Sequence, residues 1–111
     1  MEIKSRIFFA DKNIEDSFNK LKSGKFEEKQ LYLDLEQAFG NLKKNAFSGI
    51  QIPKRLIPKE YGIKHESRNL WKYDLPRGWR LIYTIDSNDI EILSIILECL
   101  DHKNYEKRFN Y

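Results

Sequence analysis

A chain of 111 residues with 41% hydrophobic and 14% aromatic residues is the size of one domain and carries enough apolar side chain for one core. That excludes a disordered or low-complexity polypeptide, and the lone cysteine, Cys99, excludes an intramolecular disulfide and points to a reducing compartment. The net charge of +3 is uneven: residues 1–42 carry −1, residues 43–80 carry +7 and residues 81–111 carry −3, so a polyanion-attracting excess falls in the middle, unless that segment is only a solvated, lysine-rich loop.

In chain order, residues 2–9 alternate, with Ile3, Ser5, Ile7 and Phe9 on one side and charged residues on the other, which predicts a first strand. Asn13 is a suitable N-cap for a helix whose apolar positions are Ile14, Phe18 and Leu21, and "SGK" stops it. A second helix is predicted from about Phe26 to Lys44, with Leu31, Leu35, Ala38, Phe39 and Leu42 as its apolar stripe. The two form a helical hairpin. Residues 45–69 show little periodicity and read as a long basic loop, with a short edge strand expected around residues 54–57. Three strands with short turns follow, "LWKYDL", "WRLIYTID" and "IEILSIILECL", which predict an antiparallel meander. The last is apolar on both faces and is therefore expected to be central in the sheet, covered on both sides. The fold class is α+β: an N-terminal strand and helical hairpin packed on a small, mostly antiparallel twisted sheet.

Period-two alternation also places the charged residues. Trp79, Leu81, Tyr83 and Ile85 share one face, so Arg80, Ile82 and Thr84 take the other; the same reasoning sets Trp71, Tyr73 and Leu75 opposite Lys72 and Asp74. A turn through Pro76, Arg77 and Gly78 then brings Lys72 near Arg80. The segment "LDHKNYEKRFNY" leaves the last strand and offers His102, Lys103 and Tyr105 to that face from one rim, while the loop offers Lys54, Arg55 and Lys59 from another. Such a set suits RNA cleavage without a metal. A base removes the proton of a 2′-hydroxyl, cations stabilise the phosphoryl oxygens, and an acid protonates the leaving 5′-oxygen. Arg80 suits the phosphate role because its planar fork can hold two oxygens at once, and His102 can act as base or acid. The plainer alternatives are a strand-end histidine, a packing Tyr105, and Arg80 as the ion-pair partner of Asp74 or Glu98. His65 is expected to face solvent.

No zinc spacing, phosphate-binding glycine loop or serine-nucleophile elbow is present in the sequence. The apolar run from Ile90 to Leu100 is about half the length of a membrane helix, and the N-terminus lacks a signal-peptide pattern. The expectation is a cytoplasmic protein with no metal, no small-molecule cofactor and no membrane partner.

The segment "YDLPRGWRLIYTIDSNDIEILSIILECLDHKNYEKRF" resembles the C-terminal half of RelE/ParE superfamily toxins of type II toxin-antitoxin systems, closest to the RelE/YoeB-like mRNA interferases. The resemblance implies one RelE-like domain over residues 1–111. It implies a ribosome-dependent, metal-independent endoribonuclease acting on mRNA, with a cognate antitoxin and the ribosome as partners. "WRLIY" stands where the family carries its catalytic arginine, so the resemblance assigns catalysis to Arg80, with His102, Tyr105 and Lys103. Lys54, Arg55, Lys59, Lys72, Arg77 and Arg108 are then the RNA-binding cations. Two other classes stay open: a ParE-like gyrase inhibitor, and a degenerate member that binds RNA or the ribosome without cutting.

Overall fold

The computed structural model describes residues 2–65, 69–88 and 90–109, with backbone only for residues 63–65. The fold is mixed α+β, with a five-stranded sheet and four helices among the described residues. Strand β1 (Arg6–Phe9) leads into helices α1 (Lys12–Leu21) and α2 (Phe26–Lys44). Then come β2 (Ile50–Gln51), α3 (Lys59–His65), β3 (Trp71–Asp74), β4 (Arg80–Ser87), β5 (Ile92–Leu100) and α4 (His102–Phe109). The strand order is β1-β5-β4-β3-β2; β1 pairs parallel to β5 and the other neighbours are antiparallel, so the expected meander is there and β5 lies inside the sheet.

Helix α2 folds as its stripe predicts: Leu31, Leu35, Ala38, Phe39 and Leu42 are all buried against Leu81, Tyr83 and Ile96. The cap of helix α1 lies two residues before the expected one. Asp11, not Asn13, closes its first turn by accepting the Ile14 N–H at 2.9 Å. Its apolar face packs through Phe18, whose ring lies 5.6 Å from Phe9 and 5.2 Å from Phe39. The opposite face of the sheet carries a second core in which Ile52, Tyr61, Leu70, Ile82, Leu97 and Tyr105 are buried, so α3 and α4 are the cover that β5 requires on its second side.

Two expectations are corrected. The edge strand is Ile50–Gln51, whereas residues 54–57 hold a 3-10 turn at Lys54–Leu56, because Pro53 and Pro58 have no N–H to give a sheet ladder. The long loop also contains α3, and the exit segment is itself a helix, started by Asp101, whose carboxylate accepts the Asn104 N–H at 2.8 Å. Strand β5, central and covered on both faces as expected, carries an irregularity in its pairing with β4. Ile82 of β4 pairs with Glu98, but its neighbour Tyr83 pairs with Ile96, leaving Leu97 as an extra residue. This bulge reverses the facing of the residues beyond it. Ile96 packs toward the helical hairpin, yet Glu98 reaches α3 and α4.

Candidate nucleic-acid interface

The face under α3 and α4 is built from β3 and β4. Their register puts Asp74 opposite Arg80 and Lys72 opposite Ile82. Both cations converge on one carboxylate: Asp74 Oδ1 lies 2.9 Å from Arg80 Nε and 3.3 Å from Lys72 Nζ. The Arg80 pair is an ion pair at close range whose Nε–H is not aligned as a hydrogen bond, and that buried nitrogen has no hydrogen-bond partner among the described residues. The Arg80 side chain is 19% exposed. Lys72 and Arg80 are thus brought together as the alternation requires, and Asp74 is the partner that holds them.

Tyr105 forms the floor. It is 3% exposed, and its ring lies 5.3 Å from the Arg80 guanidinium and 5.6 Å from Lys72 Nζ, so both cations rest on its π-face. It also packs on Phe109 at 4.7 Å. This buried placement makes Tyr105 a support for the two cations.

His102 is the first residue of α4 and is 61% exposed, with Nε2 2.5 Å from Glu106 Oε1 one helical turn on. The β3–β4 turn presses against it. Gly78 has φ +81° and follows Arg77 at φ +60°, and a β-carbon at Gly78 would sit 2.9 Å from the His102 Cβ. Only glycine meets both demands without strain, so the turn that delivers Arg80 is also seated on the residue that opens α4. Chemically, a carboxylate on Nε2 orients the imidazole and leaves Nδ1 to exchange a proton. Lys103 follows on the same helix, exposed.

The remaining cations separate. Arg77 turns to the other side of the sheet, where its guanidinium lies 2.6 Å from Asp34 of α2, and so leaves the expected RNA-binding set. Lys54 is exposed on its 3-10 turn and lines a hollow with Gln51, Ile57 and Asn69. Arg55, Lys59 and Arg108 line a different cleft, between the loop and the end of α4. His65 has no described side chain.

A network that periodicity alone did not reveal anchors α4. Tyr61 of α3 is 1% exposed and donates its hydroxyl to Glu98 Oε2 at 2.5 Å; Arg108 donates to the same oxygen at 2.7 Å and stands 3.5 Å from Glu60. Burial, reinforced by Glu98, drives the Tyr61 hydroxyl far above its ordinary pKa. The signal for Tyr61 is present as "IPKEY", with Ile57 and Tyr61 four residues apart around a helix-starting proline. No such signal marks Glu98, whose facing depends on the bulge.

Among the described residues no group of three or more His, Cys, Asp or Glu side chains is arranged to hold a metal ion, and no helix is long and apolar enough to cross a membrane. No family model, curated protein or solved structure matches the chain.

Proposed function

We propose that this protein is the toxin of a type II toxin-antitoxin system, a RelE-like endoribonuclease of the cytoplasm that cleaves mRNA on the ribosome and is neutralised by a cognate antitoxin. The observation that supports this reading best is the position of Arg80: on the "WRLIY" strand, beside Lys72, with Tyr105 of α4 beneath it. In the proposed reaction the 2′-oxygen attacks the adjacent phosphorus and the P–O5′ bond breaks. The products are a 2′,3′-cyclic phosphate and a 5′-hydroxyl end. A phosphate displaces the half-exposed Asp74 from Arg80, whose fork then takes the two phosphoryl oxygens as charge builds on them. His102, oriented by Glu106, takes the proton of the attacking 2′-hydroxyl and returns a proton to the leaving 5′-oxygen, Lys103 assists beside it, and Tyr105 positions Arg80.

The test is induction of the wild-type chain and Arg80→Ala without antitoxin, followed by growth and mRNA mapping. The proposal expects arrest with mRNA cut within codons for the wild type and neither effect for the variant. Arrest with intact mRNA would point to gyrase inhibition or binding alone, and no arrest to a degenerate toxin. Cleavage that needs added Mg²⁺ would also sink it.

A further inference from the structure

The cations on this face differ in how far they are already satisfied. At the Arg80 centre, Arg80 and Lys72 share Asp74, and Arg108 is held by Glu98 and Glu60. By contrast, no ion pair among the described residues engages Arg55, Lys59 or Lys107. These three are exposed, and all line one cleft of about 550 Å³ between the 3-10 turn, the start of α3 and the last turn of α4. Among the described residues Glu60 is the one carboxylate in its lining, and it faces Arg108. The described cations of this cleft are therefore less compensated than Arg80 and Lys72.

The shape of the cleft narrows what it takes. It is recessed, whereas a membrane surface needs protruding basic and aromatic side chains. Its lining is not purely ionic: Leu56 is 47% exposed, and Ile57, Pro58 and Phe109 give apolar surface beside the cations. Phosphates alone would not use that surface, and a duplex keeps its bases stacked inside; a single strand offers both a charged backbone and free base faces. The cleft and the Arg80 centre border the same helix, α4. Tyr105, on which Arg80 rests, and Arg108, which walls the cleft, are three residues apart on α4, a rise of roughly 4.5 Å.

We infer that the cleft formed by Arg55, Lys59, Lys107 and Phe109 is a docking site for single-stranded RNA, separate from the Arg80 centre, that holds the strand on one side of the nucleotide presented to Arg80. The choice of RNA as the polyanion rests on the proposed function; the charge and shape of the cleft do not. Arg108, fixed by Glu98 and Glu60, shapes the wall, and the three unpaired cations supply the binding.

The probe is a fluorescein-labelled 2′-O-methyl oligouridylate, which cannot be cleaved because its 2′-oxygen is blocked, titrated with the full chain over a series of salt concentrations. Arg55→Gln/Lys59→Gln/Lys107→Gln, checked for an unchanged circular dichroism melt, should weaken binding at least about tenfold at low salt. It should also flatten the log–log salt slope by roughly 2, the value for three phosphate contacts on a single strand. Glu60→Gln should tighten binding, an effect that misfolding cannot imitate, and a control of equal charge change on α1, Lys12→Gln/Lys20→Gln/Lys22→Gln, should bind as the wild type does. Unchanged affinity and slope in the cleft variant would overturn the inference, as would an equal loss in the α1 control. Preference for anionic phospholipid vesicles over the oligonucleotide would also overturn it. Intact mRNA on induction together with cleft-dependent binding would refute the nuclease and leave the docking site standing; cut mRNA with an unaltered cleft variant would do the reverse.

Discussion

Replacing Tyr61 by Phe removes one oxygen and leaves the ring between α3 and α4 in place. The lost hydroxyl donates to the Glu98 carboxylate at 2.5 Å from a residue that is 1% exposed, and a hydrogen bond to a charged group in such a site contributes about 2 kcal/mol. At neutral pH, Tyr61→Phe is therefore expected to be less stable by about that amount. The pH dependence makes the test sharper. Burial first, and Glu98 second, raise the Tyr61 pKa in the folded protein, so its contribution is complete below the unfolded tyrosine value near 10 and declines above it. Above that point the unfolded wild type loses a proton that the folded form keeps, at about 1.4 kcal/mol per pH unit, while the phenylalanine variant has none to lose. The two stabilities should converge and meet near pH ~11.5, where the accumulated loss equals the initial ~2 kcal/mol. Urea unfolding followed by far-ultraviolet circular dichroism from pH 7 to ~11.5 measures both curves. A difference that stays constant or widens above pH ~10 would refute the reasoning.

Further expectations concern other parts of the fold. Tyr83→Phe strips the Ala46 carbonyl and the Gly49 N–H of the hydroxyl that bonds both, at 2.9 and 3.1 Å, and should cost about 2–3 kcal/mol in a urea melt. Gly78→Ala should lower stability by about 1–2 kcal/mol and shift the His102 imidazole resonances, while Gly40→Ala, with open space at its β-carbon inside α2, should raise stability by about 0.5–1 kcal/mol. Burial, with Asp101 adding to it, pushes the Cys99 thiol up to about 12, so a disulfide reagent at pH ~8 should modify it far more slowly in the folded protein than in urea.

How far the sequence could be read is clearest on β4 and β5, which lie side by side. In "WRLIYTI" strict alternation sorts Trp79, Leu81, Tyr83 and Ile85 from Arg80, Ile82 and Thr84, and the two cores are divided along that line. This works because β4 is regular and each face meets an apolar layer. In β5 the same rule places Glu98 on the face of Ile96, and one extra residue at Leu97 reverses it. A bulge answers to the pairing partner, which a single strand's own pattern does not contain. Helices α3 and α4 escaped for another reason: at seven and eight residues they show about two turns of periodicity, and their positions are fixed by Tyr61 and Tyr105 entering a core set by the sheet. The same partners decide the candidate site. Alternation put Lys72 and Arg80 on one face and left Asp74 as a partner within reach of Arg80, as found, whereas the ion pairs that occupy Arg77 and Arg108 depend on Asp34, Glu98 and Glu60 arriving from separate segments.

The pairing of the first strand with the last also constrains how the chain is made. Ser5 and Ser94 share a hydroxyl hydrogen bond although 89 residues separate them, and β1 has no other strand neighbour among the described residues. A nascent chain emerging in order cannot satisfy its N-terminal strand until β5 has left the exit tunnel. Contacts of such high order slow folding and postpone it until the residues of β5 have been made. Until then β1 and the helical hairpin behind it are made but unfinished, so any activity of the folded chain begins only after β5 has emerged.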